Sequence, residues 1–358
     1  MRLRKEILNV VESPLVQIAT VAESMPGSLK LCYGESDMPT PEFICRAGYE
    51  AALAGHTFYT HTAGSPELRE AIARKVFELQ RVTYRPSEVM GTVGGTMAIN
   101  IAIRALVGRG DNAVIVSPAY AIYANSVIMS GGEPRPVPLA RHDRRFRLDL
   151  DRLERAIDRD TRLLVVNSPS NPTGWMITEA EQHALAAIAD RNDVVILSDE
   201  VYERLAFDMQ IAPSLARVIE NHDRLIVVNS FSKTYNMTGW RLGWAQSSEV
   251  VIRQLYKAAE FITSNPTPSS SKPASPRSVM VRATFETCAT TTHDDELRYR
   301  MRWDLFPVSR CRRRRAPSTR FPTLTVSTIP LRSRRSCSGR PASRSRLGSR
   351  SENRARDM

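Results

Sequence analysis

The sequence predicts an α/β fold whose large domain has three layers around a mostly parallel central sheet. Two observations carry this. From about Cys45 to Glu260, short and nearly continuous Val/Ile/Leu runs alternate with helical stretches, the pattern of strands buried on both faces between covering helices. Polar clusters then follow the apolar runs: SPAY after NAVIV, NSPSNPTG after TRLLVV, SDEVY after DVVIL and NSFSK after DRLIVV. In open parallel sheets function gathers at the carboxyl ends of strands, which is where these clusters fall.

Taken in order, VGGTMAINIAIRALVG opens with glycines and continues as an apolar helix, and NAVIVS is a buried strand. LDRLERAI is amphipathic, TRLLVVNS is the next strand, and EAEQHALAAIADR has helical periodicity. DVVILSDEVY and DRLIVVNSFS supply two more strands, each ending in side chains able to do chemistry. The expected organisation is an N-terminal segment (1–44), the large domain (45–265) and a basic Arg/Ser/Pro-rich tail (266–358) read as disordered.

Charge separates the tail from the rest. Residues 266–358 hold 20 Arg, one Lys and seven acidic residues, leaving 29 basic and 31 acidic residues before them, so the net +12 divides into +14 and −2. Five cysteines with no CxxC spacing suggest neither a disulfide framework nor a zinc site. The first residues, MRLRKEILNVVESPLVQ, break their apolar stretch at Glu12, and no apolar run of membrane-spanning length occurs. A soluble, cytoplasmic protein without metal or membrane partner is expected.

The chemistry centres on SFSKTYNMTGWRLGW, Ser230 to Trp244. Ser230 and Ser232 offer hydroxyls on alternate positions, Arg241 offers a planar fork for phosphate oxygens, and the amine of Lys233 can form a Schiff base. Together they describe an anchored pyridoxal phosphate. This segment resembles the cofactor-lysine segment of the class I/II aminotransferases, pyridoxal-phosphate enzymes of fold type I related to aspartate aminotransferase, and further motifs follow in that family's order from about Leu31 to Asn265.

The resemblance implies roles residue by residue. Gly34 in GESDMPTP is placed to approach the substrate through its backbone, although the family more often has Pro where Ser36 stands. Tyr59 in HTFYTHTAGSPELREAIA matches a tyrosine that reaches the partner subunit's phosphate, which implies a homodimer. Gly94, Gly95 and Thr96 in VGGTMAINIA match a phosphate cradle at a helix N-terminus, where amides and dipole favour an anion. Tyr120 in SPAYAIY matches the aromatic that stacks on the pyridine ring. Asn171 in NSPSNPTG and Tyr202 in SDEVYERL match donors to the phenolic oxygen. Asp199, one serine beyond the apolar run Val194 to Leu197, matches the carboxylate paired with the pyridine nitrogen, which keeps the ring an electron sink. Lys233, Asp199 and Tyr202 are the expected catalytic residues, and Gly34, Tyr120 and Asn171 the expected substrate contacts. His56 and His61, flanking Tyr59, read as exposed loop positions.

The reaction this implies is a ping-pong transamination between an L-amino acid and a 2-oxo acid, with Lys233 as general base. A beta-lyase on the same fold is the alternative, since fold and cofactor site do not fix the reaction. After Asn265 the family continues into a small carboxyl-terminal domain with a carboxylate-clamping arginine, and no matching segment is visible. The expectation is that this domain is degraded or missing, the tail being translated out of the family's reading frame. One common slip permits VQQAGVAAL from SSKPASPRS and GAFYAFPD from the end of Arg315 through Thr323. The chain as written would then be an inactive remnant. A nucleic-acid-binding arm, built on RCRRRR and SRSRLGSRSENRAR, is the lesser reading of the same tail.

Overall fold

The computed structural model describes residues 3–25, 27, 34–36, 38–142, 145–207, 209–264 and 266. Apart from Pro266, the tail and both of its readings lie outside the described residues.

Helices α1 (Lys5–Leu8), α2 (Pro14–Glu23), α3 (Glu42–Leu53) and α4 (Pro66–Gln80) come first. The start of α4 reflects its sequence: the Ser65 hydroxyl accepts from Leu68 N, and Pro66 at the first position has its φ preset. Then come β1 (Val89–Thr92), α5 (Gly94–Leu106), β2 (Asn112–Ser117), α6 (Ile122–Ser130) and β3 (Glu133–Pro138). A small hairpin of β4 (Ala140–His142) and β5 (Arg145–Arg147) precedes α7 (Leu150–Ala156) and β6 (Thr161–Asn167). Helix α8 (Glu179–Arg191) opens on a capping box in which Thr178 and Glu181 satisfy each other's backbone N–H groups. The series closes with β7 (Val195–Asp199), β8 (Leu225–Ser230), α9 (Phe231–Thr234), β9 (Gly243–Gln246) and α10 (Glu249–Glu260). None of the helices among the described residues is long and apolar enough to cross a membrane.

Seven strands form one sheet in the order β1-β9-β8-β7-β6-β2-β3, parallel throughout except that β9 runs against both of its neighbours. Successive strand residues point to opposite faces, and both faces are dry. Leu164, Val166, Ile196 and Val227 share one core with Leu68, Ile72 and Val76 of α4, Leu153 of α7 and Leu185 of α8. Leu163, Val165, Leu197 and Val228 share the other with Ile99 and Ile103 of α5, Val127 of α6 and Leu255 of α10. At roughly 1.5–3 kcal/mol for each fully buried aliphatic side chain, this two-sided burial is the main driving force for the layering.

The sequence EPRPVP makes an unpromising strand, yet it is β3, and its place explains why it is tolerated. Glu133 N and Leu139 N donate inward to Asp111 O and Ser117 O. Pro134, Pro136 and Pro138 have the other parity, so their missing N–H groups fall on the outer side of an edge strand, where no ladder bond is lost.

Strand β9 positions the site. Its first residue, Gly243, pairs with both Ser230 and Thr92, at the edge where the parallel strands end. A Cβ on Gly243 would stand 2.5 Å from Gly95 N and 2.7 Å from Gly94 C, so only glycine lets the first turn of α5 sit against this strand.

Candidate active site

The carboxyl edge brings together β6, β7 and β8, the start of α5 and the return loop before β9. Asp199 ends β7 with its carboxyl group buried; Oδ2 accepts from the Tyr123 hydroxyl at 2.6 Å and Oδ1 from Val201 N at 3.2 Å. Burial pushes this carboxyl up to about 6, against the pull of those two donors. Beside it in register, Asn167 at the end of β6 donates to Asp199 O at 3.0 Å and accepts from Asn171 N at 2.7 Å. Asn171 in turn donates through Nδ2 to the Tyr202 hydroxyl at 3.2 Å, and burial raises the Tyr202 phenol above its ordinary value. The strand register therefore sets Asp199, Asn171 and Tyr202 in one linked group.

Lys233 lies on α9, the single turn that succeeds β8. Ser230 caps this turn: its hydroxyl accepts from Ser232 N at 3.1 Å, meets Ser232 Oγ at 3.0 Å and donates to Leu242 O at 3.2 Å. The half-buried Lys233 amine donates to Gly34 O at 2.6 Å and lies 5.9 Å from the Tyr202 ring centre. Burial lowers its proton affinity and Arg241 lowers it further, while Glu35 opposes both.

The start of α5 and Arg241 form an anion cradle. Gly94 and Gly95 are buried at the start of α5, and Thr96 is exposed beside them. Gly94 has φ +72° and faces the Arg241 guanidinium so closely that a Cβ there would lie 2.5 Å from Nη2. Arg241 itself has φ 52°, is exposed, and is tethered through Nη1 to Thr238 O at 2.8 Å. Gly95 lies against Ser230, the distance from an added Cβ to Ser230 Cβ being 3.5 Å. Helix-start amides, a guanidinium and a serine hydroxyl thus converge, a donor set suited to a phosphate.

The remaining expected residues lie around this centre. Tyr120, 41% exposed, stands before α6 with its ring edge-on to Tyr123 at 6.4 Å. Gly34 lies over Tyr202, with 3.5 Å between an added Cβ and the hydroxyl. Tyr59 is on the loop between α3 and α4 and is 87% exposed. His61 is exposed, its Nδ1 accepting from Ala63 N at 3.0 Å, and His56 is half-buried.

Sequence reasoning missed Tyr123 and Asn167, although one lies a helical turn beyond Tyr120 and the other four residues before Asn171. A buried polar group behind the site was missed as well. Glu200 accepts from Ser198 Oγ, Ser214 Oγ and Leu215 N at 2.8 to 3.1 Å, and burial pushes it up to about 7. Glu203 pairs with Lys75 of α4, whose ammonium lies 4.9 Å from the Trp244 ring centre. These groups brace the turn after β7, which carries Tyr202.

The family model for aminotransferase class I and II matches residues 26–280. The chain belongs to this family. It is 33% identical over 272 residues to the aspartate aminotransferase of Bacillus subtilis (strain 168), spanning 75% of this chain and 69% of that one. To aromatic-amino-acid aminotransferase 2 of Thermococcus litoralis it is 36% identical, spanning 71% and 65%. The chain thus spans about two thirds of the length of these curated relatives. Among solved structures it resembles the aspartate aminotransferase of Thermus thermophilus with maleate, at a TM-score of 0.73 and 31% identity over 81% of this chain and 74% of that one. It also resembles the N-succinyldiaminopimelate aminotransferase of Mycobacterium tuberculosis, at 0.76 and 30% over 86% and 79%. Class I and II aminotransferases depend on pyridoxal 5'-phosphate. The residues present fit that cofactor: an anion cradle in which the left-handed Gly94 lies against the Arg241 guanidinium, a buried carboxylate without an ion pair among the described residues, and a desolvated lysine beside Tyr202.

Proposed function

We propose that this aminotransferase moves an amino group between an L-amino acid and a 2-oxo acid in a ping-pong cycle, with Lys233 as its reactive amine. The observation that carries the reading is the placing of that amine, held at 2.6 Å from Gly34 O, 5.9 Å from the Tyr202 ring centre and within electrostatic reach of Arg241. Pyridoxal 5'-phosphate, when bound, supplies an aldehyde for an amine to attack and a ring that withdraws electrons from the substrate's alpha carbon.

The chain's own residues do the rest. Gly94, Gly95, Thr96, Ser230, Ser232 and Arg241 would hold the phosphate, and Tyr120 would cover the ring. Asp199 would serve the ring nitrogen, and Asn171 and Tyr202 would serve the phenolic oxygen. Burial and the nearby Arg241 ease the loss of the Lys233 proton, which suits the amine first to act as nucleophile and then, released, to take the proton from the alpha carbon as general base. Gly34 meets the amino acid through its backbone. The enzyme works as a cytoplasmic homodimer, with Tyr59 serving the partner's phosphate; its exposure on one chain supports that. The out-of-frame origin of residues 266–358 is part of the same proposal, and the coding DNA tests it.

The deciding experiment is borohydride reduction of the protein with pyridoxal 5'-phosphate, followed by peptide mass analysis and a panel of L-amino acids with 2-oxo acid acceptors. We expect a pyridoxyl mass on the Lys233 peptide, and neither trapping nor turnover in Lys233→Ala. Turnover surviving in that variant would refute the assignment, and ammonia release without an acceptor would make the enzyme a lyase.

A further inference from the structure

We propose that Tyr123 is a positioning residue of this site, its hydroxyl holding Asp199 as a carboxylate aimed at the ring nitrogen of the cofactor; this rests on the function proposed above. The geometry is direct. The Tyr123 hydroxyl donates to Asp199 Oδ2 at 2.6 Å, and both side chains are almost fully buried, at 1% and 3% exposure. They come from different layers, Tyr123 from the first turn of α6 and Asp199 from the end of β7.

A buried carboxylate without an ion pair is expensive to keep charged. Asp199 forms no ion pair among the described residues, and its donors are Tyr123 and one backbone N–H. The other titratable groups that bear on this pair, Tyr120 before α6 and Tyr202 after β7, are phenols. Burial raises Tyr123 well above the ordinary tyrosine range, so it remains an O–H donor at any working pH. Its hydrogen bond favours the charged form of Asp199, in opposition to burial.

With the cofactor bound, a proton would be contested between Asp199 and the ring nitrogen. Asp199 would leave it on the nitrogen only while its own charge is stabilised, and Tyr123 is the side chain that donates to it. Tyr120 stands just before α6, edge-on to Tyr123 at 87°. One short stretch of chain thus places both the aromatic expected to cover the cofactor ring and the residue that donates to the Asp199 carboxylate.

The test uses the full chain and Tyr123→Phe. In cofactor-free protein, with 13C-labelled aspartate assigned through Asp199→Asn, the Asp199 carboxyl should titrate at least one unit higher in Tyr123→Phe than in the parent. In the loaded enzyme kcat should fall roughly ten- to hundred-fold, the span of a hydrogen bond to a charged group, with KM nearly unchanged. The 15N signal of a labelled cofactor ring should move toward the unprotonated position. If Tyr123→Phe fails to fold, a fluorinated tyrosine placed at 123, a stronger donor of almost the same shape, should move the Asp199 midpoint downward. An unmoved Asp199 midpoint in either variant would overturn the proposal. Pyridoxyl trapping on Lys233 is read in parallel: its absence in the parent chain would refute the function, whereas trapping with an unmoved Asp199 would refute only the role of Tyr123.

Discussion

Replacing Gly94 by alanine tests the anion cradle through two separable effects. At φ +72° an L-residue costs about 1–2 kcal/mol, whether or not cofactor is present. This part should appear as lower stability in urea unfolding of the cofactor-free protein. The new Cβ would also stand 2.5 Å from Arg241 Nη2 and 3.0 Å from Cζ, against ordinary contact at 3.4 Å or more, so the guanidinium must retreat by about 1 Å. Losing one charge-assisted hydrogen bond to phosphate costs about 1.5–3 kcal/mol, a roughly ten- to 150-fold rise in cofactor Kd. Fluorescence titration with pyridoxal 5'-phosphate measures it. Gly95→Ala is the comparison, since it has no left-handed backbone and its nearest contact is 3.3 Å to Val201 Cγ1; its effect should be much smaller. In an Arg241→Ala background, Gly94→Ala should keep its stability cost and lose most of its effect on affinity. Unchanged affinity in Gly94→Ala, or the same loss with and without Arg241, would refute the reasoning.

Three further outcomes concern the groups in and behind the same site. Asp199 and Glu200 are raised from 3.8 and 4.5 to about 6 and about 7 by burial, so the folded chain holds protons that the unfolded chain has released. Their contribution is best below about pH 4 and declines as pH rises to about 7, by roughly 3 kcal/mol each; urea unfolding of cofactor-free protein at several pH values should show a shallower decline in Glu200→Gln. Lys75→Met leaves Glu203 buried without its partner and should cost about 3–5 kcal/mol in the same assay, much of it recovered in the double variant with Glu203→Gln. Ser230→Ala removes the cap of α9 and should lower stability by about 1 kcal/mol and weaken cofactor binding, an unchanged Kd counting against a phosphate role for that hydroxyl.

The buried strands were legible because both of their faces are dry: NAVIVS, TRLLVVN and LIVVNS are continuous apolar runs and correspond to β2, β6 and β8. Strands β3 and β9 were not, one because alternate prolines mask its edge and the other because four residues carry no period. Lys233, Asp199 and Asn171 could be singled out because their motifs follow apolar strands, and the structure gathers them at one edge of the sheet. Tyr123 could not, since a tyrosine in the first turn of a helix looks like core until the strand it faces is known. Lys75 and Glu203 were hidden for the opposite reason: on their own elements they look like solvated charges, and only packing between α4 and the turn after β7 makes them a buried pair.

The prolines of β3 also bear on how the protein behaves among its neighbours. An unpaired sheet edge invites another strand to extend it, a route to aggregation. Any strand arriving at this edge would find the carbonyl oxygens of Pro134, Pro136 and Pro138 and no N–H group to answer its own. Pro136→Val would restore a donor in the middle of that row and should make the protein more prone to associate through its sheets at high concentration.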